Sequence, residues 1–142
     1  MSDASAWRIA LPHTAAAVPM ARALVRTALA DADPPADRDT AELLTAELVA
    51  NAVAHTGPGA PIELVVELLA DGCQVEVHDG EPCPPAGLSA RPDAGRPDPW
   101  REHGRGLLLI RSLSSDCGHR PTAHGKAVWF TLPAQRTGSA GT

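Results

Sequence analysis

The stretch ELVANAVAH, residues 47–55, sets a carboxylate, a carboxamide and an imidazole four residues apart: Glu47, Asn51 and His55. At about 100° per residue these three form one stripe along a helix. Leu43, Leu44, Leu48 and Ala54 flank the stripe, and Val49, Ala50 and Val53 fill much of the remaining surface. A helix that is apolar nearly all round is normally buried on several sides. A carboxylate in such a place costs about 3 kcal/mol or more unless a charge or a donor meets it. Two readings fit the row. One is a solvent-facing stripe with i,i+4 polar pairs. The other is a pocket wall where Asn51 offers its amide oxygen to a hard metal ion and Glu47 takes a proton from an incoming hydroxyl or water.

Two further segments carry chemistry. In VEVHDG, Asp79 shares the parity of Val75 and Val77, which turns it toward the core side of a strand, and Gly80 behind it permits close approach by another group. Asp79 is either a turn-starting Asp-Gly or the acceptor for an exocyclic amine such as adenine's. In EHGRGLLLI, Gly104 and Gly106 stand immediately before an expected helix, where free N–H groups can hold phosphate. Arg105 between them is either a counter-charge to that phosphate or a solvated residue in a glycine turn.

The elements that must position these residues can be read from periodicity. AWRIAL (residues 6–11) is a short edge strand stopped by Pro12, and a helix enters near Val18 with Pro19 in its first turn. Asp39 and Glu42 form a capping box for the second helix, which carries the polar row and ends at Gly57-Pro58-Gly59. PIELVVELL and CQVEVHD alternate as two strands joined by a turn at Ala70–Gly72. Residues 81–103 hold six prolines and no periodicity. A loop of more than about 15 residues in a compact domain is usually functional or disordered. GRGLLLIRSLSS reads as a third helix and GKAVWFTL as a last strand with Trp129 and Phe130 in the core. The order β-α-α-β-β-loop-α-β predicts an α+β two-layer sandwich, with helices on one face of a mixed, mostly antiparallel sheet.

Taken together, E-x-x-x-N on a helix, D-G after a strand and G-x-G-L before a helix resemble the GHKL (Bergerat-fold, histidine-kinase-like) ATP-binding superfamily. The chain's size and its GRGLLLI and GKAVWF segments look like the anti-sigma-factor serine/threonine protein kinase branch. The resemblance spans roughly residues 6–133 and implies a single ATP-binding domain over 1–133, with a lid over about 81–103 and a flexible tail over 134–142. It implies that Asn51 coordinates the Mg²⁺ that bridges the triphosphate, that Glu47 is the base, and that Asp79, backed by Gly80, accepts from the adenine amino group. It also implies that Gly104, Arg105, Gly106 and Leu107 wrap the phosphates, while His55 closes the polar row. The partners implied are a sigma factor and an anti-sigma-factor antagonist whose serine receives the phosphate, with homodimers as the assembly. Two departures bear on transfer more than on binding. Glu81 stands where Gly or Ser is common, and Gly125-Lys126-Ala127 replaces a turn that often holds Thr, so hydroxyl support for adenine is missing.

Composition limits the alternatives. The formal net charge of −5 argues against nucleic acid or an anionic membrane as the main partner. Three irregularly spaced cysteines (Cys73, Cys83, Cys117) fit a reducing compartment better than a disulfide framework, and Cys117, His119 and His124 match no tetrahedral zinc spacing. No apolar run approaches membrane-spanning length and no signal peptide opens the sequence, so a cytoplasmic protein is expected. Trp100, inside the long loop, is either a partner contact or an anchor for the lid.

Overall fold

The computed structural model describes residues 5–30, 32, 37–57, 61–80 and 104–134, the side chains of residues 5 and 104–107 excepted. The elements are β1 (Ser5–Leu11), α1 (Ala17–Ala30), α2 (Arg38–His55), β2 (Ile62–Leu69), β3 (Gly72–Asp79), α3 (Gly104–Leu113), β4 (Asp116–Pro121) and β5 (Lys126–Pro133). The strands form one five-stranded sheet in the order β1-β2-β3-β5-β4. Every pairing among the described residues is antiparallel, so the sheet is not mixed. The fold is the expected α+β sandwich with one more strand than the sequence patterning showed.

That strand is β4, DCGHRP, which has no apolar alternation to announce it. It lies at the sheet edge and pairs only with β5, from Asp116 opposite Thr131 to Pro121 opposite Lys126. An edge strand needs less apolar surface than a central one, because only one neighbour and one face hold it.

The helix layer covers the face that carries Leu64, Val66, Val75, Val77 and Phe130, all essentially fully buried. Strand parity sets this directly, since Leu64 faces Val77 and Val75 faces Phe130 across the ladders. α1 contributes Ala21, Val25 and Ala28, and α2 contributes Ala41, Leu44, Leu48 and Ala52, at the three- and four-residue spacing of a buried stripe. The core is aliphatic and small, with Phe130 the one fully buried aromatic ring among the described residues. Trp129, one residue earlier, lies on the opposite face and is half-buried over Gly118, so it is not in the core.

Two local expectations change. The N-cap of α2 is Asp37, whose carboxylate accepts from the Thr40 backbone N–H at 3.1 Å and the Thr40 hydroxyl at 2.7 Å. Those bonds hold the Asp37 carboxyl below its ordinary range. Asp39 therefore sits inside the first turn, and Glu42 faces α1 instead of reaching back to cap the helix. Gly104 and Gly106 likewise lie within the first turn of α3 rather than before it.

Candidate functional site

One end of the sandwich collects the residues singled out above. β1 ends at Leu11 opposite Ile62, the first residue of β2, and Glu63 lies opposite His78. Asp79, the last residue of β3, pairs with Lys126, the first of β5, which also faces Pro121 at the end of β4. Just beyond β1, the His13 Nε2 lies 2.6 Å from the hydroxyl of Thr56, the C-cap of α2. The carboxy-terminal turns of α2, with Asn51 and His55, therefore come down at the same end as Asp79 and Lys126. Ser115 ties the exit of α3 to Thr131 at the other end, so its amino-terminal glycines are directed away from that opposite end.

The flanks of α2 have different neighbours. Glu42 accepts from Arg26 Nε at 3.2 Å and Nη2 at 2.9 Å, with Arg22 at 3.7 Å, which places α1 on that side. The Arg26 hydrogen bonds hold the Glu42 carboxyl below its usual range. Glu47 and Asn51 fall roughly 140–180° round the helix from Glu42. α2 packs against α3 as well as α1, so the polar row borders the α3 side. Its members differ in depth: Glu47 is half-buried at the rim, Asn51 is buried, and His55 is half-buried at the last turn.

Asn51 is the informative one. Its Nδ2 is buried and has no hydrogen-bond partner among the described residues. Leaving a buried amide unsatisfied costs about 1–3 kcal/mol, and either end of the amide could be the oxygen. A side chain in that state, on the flank facing α3 and at the end that carries Asp79, fits a site that takes a ligand or a hydrated cation. Thr45 Oγ1 is also buried and has no partner among the described residues, but it lies on the core side of the helix. Among the described residues no three His, Cys, Asp or Glu side chains gather as a metal cluster. Mg²⁺ in general takes most of its ligands from water and phosphate.

Asp79 is on the core face, as its parity with Val75 and Val77 requires, and is buried. Its Oδ1 accepts from Lys126 Nζ at 2.9 Å, and both side chains are almost fully covered (3% and 7% exposed). The residues after β3 and before β5 press together here. A Cβ on Gly125 would lie 2.0 Å from the Asp79 carbonyl oxygen and 2.7 Å from Gly80, so glycine is required for that approach. Sequence reasoning took Lys126 for a turn residue that removes hydroxyl support. It placed Lys126 at the start of the last strand but missed that its side chain carries the counter-charge of Asp79. The readable signal was a single Lys at the mouth of an otherwise apolar strand, one place from a glycine.

The remaining site residues are only partly placed. Gly104, Arg105, Gly106 and Leu107 belong to α3, and their side chains lie outside the described residues. So do residues 81–103, with Glu81, Cys83 and Trp100, and the tail after residue 134.

Comparison with known proteins matches this arrangement. The model of the histidine kinase-like ATPase domain family covers residues 11–132, from the last residue of β1 to the penultimate residue of β5. A comparison with curated proteins gave no match. No helix among the described residues is long and apolar enough to cross a membrane. The family match spans most of the chain and includes the α2 row, the β3 end and α3, so the chain belongs to the histidine kinase-like ATPase domain family, and that membership implies ATP binding.

Proposed function

We propose that this chain is an ATP-dependent serine/threonine protein kinase acting as a cytoplasmic anti-sigma factor in a partner-switching system. The observation that supports a working nucleotide site is the buried Asn51 Nδ2, which has no hydrogen-bond partner among the described residues, on the flank of α2 that borders α3. The kinase branch is supported by the wording of GRGLLLI and GKAVWF and by the half-buried Glu47 one turn before Asn51. Asn51 would hold Mg²⁺ through its amide oxygen, and that ion would supply positive charge against the triphosphate. Glu47, at the rim, accepts the proton of a serine hydroxyl on the antagonist protein as the phosphate passes to it. Backbone N–H groups of Gly104–Leu107 and the Arg105 guanidinium hold the charge that develops during transfer. The unantagonised form, as a dimer, retains the sigma factor.

A second reading has its own observation. Lys126, ion-paired with Asp79 in a turn that often holds Thr in the superfamily, departs with Glu81 from the pattern of the resemblance, and these departures motivate a non-catalytic, ATP-gated module that sequesters a sigma factor or signalling protein without phosphorylating it.

The test is transfer of labelled phosphate from ATP·Mg²⁺ to candidate antagonist proteins. Acid-stable phosphoserine on one of them, lost in Glu47→Ala while ATP still binds, is the expected result. Binding without transfer to any antagonist selects the gated module, and acid-labile phosphate on the partner points to the catalytic half of a split histidine kinase.

A further inference from the structure

The last turn of α2, which follows Asn51, is held from outside the helix. Thr56, its C-cap, is buried, and its backbone N–H donates to the Ala52 carbonyl at 3.2 Å. The Thr56 hydroxyl oxygen lies 2.6 Å from that same carbonyl oxygen. It also lies 2.6 Å from Nε2 of His13, 43 residues earlier in the chain. Two oxygens that close need a hydrogen between them, and a carbonyl has none to give. The single hydroxyl hydrogen is therefore committed to Ala52, and the Thr56 oxygen can only accept from His13. That makes the imidazole the donor: Nε2 carries a hydrogen, in the neutral Nε2–H tautomer or in the imidazolium.

His13 follows Pro12 in the connection from β1 to α1. The relay from His13 Nε2 through the Thr56 hydroxyl to the Ala52 carbonyl thus ties that connection to the end of α2. A helix end frays unless its last carbonyls and its capping residue are held. Asn51 and Ala52 are consecutive and His55 shares the turn, so this latch holds the backbone beneath the polar row. We propose that His13 and Thr56 are positioning residues of the nucleotide site, their hydrogen bond fixing the last turn of α2 so that the Asn51 amide is preset for the Mg²⁺ of a bound nucleotide. This rests on the reading of Asn51 as the residue on the Mg²⁺ side of the pocket. It goes beyond that reading by naming two residues, outside the polar row, that act through Asn51.

The experiment is calorimetric titration of the full chain with ATP, once with Mg²⁺ and once with a chelator, well below the melting temperature of every variant. The variants are His13→Ala, His13→Gln, Thr56→Val and Thr56→Ser. Wild type is expected to bind ATP more tightly with Mg²⁺. His13→Ala and Thr56→Val should lower that enhancement about three- to tenfold, the worth of one hydrogen bond, and change the affinity in chelator less than about twofold. Thr56→Ser keeps the hydroxyl, and His13→Gln sets an amide N–H near the Nε2 position, so both should retain most of the enhancement. A purely structural bond would lower the melting temperature and leave the enhancement unmoved, which overturns the proposal. Equal losses with and without Mg²⁺ overturn it as well. A wild type that binds ATP equally with and without Mg²⁺, or not at all, overturns the reading of Asn51 and this inference with it. Imidazole nitrogen NMR on the wild type in mildly alkaline solution needs no variant: the Nε2–H tautomer is expected for His13, and Nδ1–H would remove the latch.

Discussion

Asn51 and Asp79 are both buried polar side chains, and they differ in their pairing. Asp79 has Lys126, whereas the Asn51 Nδ2 has no partner among the described residues. Replacing an unsatisfied amide with an apolar group of similar volume is close to neutral for folding or stabilising. Asn51→Leu is therefore expected to keep or raise the melting temperature of the nucleotide-free protein while weakening ATP·Mg²⁺ binding by tenfold or more, about 1.4 kcal/mol. Thermal melts with and without ATP·Mg²⁺ check both halves. A clear loss of stability without ligand would show that the amide belongs to the core. Cys73 offers a second residue-scale test. Burial pushes its thiol up to about 11, so it stays protonated and shielded at neutral pH. In the folded protein a thiol reagent should give the same labelling count for wild type and Cys73→Ser, and the two should differ by one only after unfolding.

At the scale of elements, the meeting of β3 and β5 is where packing and site geometry are the same matter. Gly125 precedes β5 and touches the backbone of Asp79 and Gly80, so any side chain there must push the two strand ends apart. Gly125→Ala is expected to destabilise the chain by about 1–3 kcal/mol through forced backbone shifts. It should also weaken nucleotide binding, because Asp79 and Lys126 lose their register. Urea unfolding gives the first number, and titration with ATP gives the second. Unchanged stability would mean that the strand ends can separate freely, contrary to the close approach seen here. α2 shows what can and cannot be read at this scale. Its length and polar row were legible from spacing, but its cap was not. Asp37 and Asp39 are equivalent by residue type, and what distinguishes them is which backbone N–H groups point at them. Likewise Glu42 looked like a capping residue until Arg26 of α1 was found against it.

Across the whole molecule, the sheet face opposite the helices carries a charged network beside Val65 and Trp129. Arg120 of β4 donates two hydrogen bonds, at 3.0 and 2.8 Å, to Glu76 of β3, reaching across β5, and His78 lies 2.8 Å from the same carboxylate. Burial alone would push the Glu76 carboxyl up, but these bonds outweigh it and the group titrates at about 2 instead of its ordinary 4.5. A carboxylate with a depressed folded value contributes stability above its unfolded value and loses it as pH falls through the folded one. The window here is about pH 4.5 down to about pH 2. With partial solvent screening, the contribution is on the order of 1–2 kcal/mol. Glu76→Gln should be less stable than wild type at pH 7, and the gap should close as pH is lowered across that window. Denaturation at several pH values measures it, and a gap independent of pH would remove the ion pair as the cause.

What could be read along the chain were features with a short sequence period. These were the alternation that turns Asp79 inward with Val75 and Val77, the four-residue spacing that lines up Glu47, Asn51 and His55, and the glycines ahead of LLLI. Together they carried the fold class and most of the candidate site, because local geometry sets which residues share a face. The same rule applied to Trp129 and Phe130 would have put them on opposite faces, as they are. The fold had to supply what depends on long-range neighbours. β4 is a strand because β5 lies beside it, not because of its own pattern. Asn51 stands out because its Nδ2 has no hydrogen-bond partner among the described residues. Lys126 became part of the site when the ladder set it opposite Asp79, 47 positions away in the chain. A buried charge takes its meaning from its partner, and pairing over that distance is a property of the folded sheet.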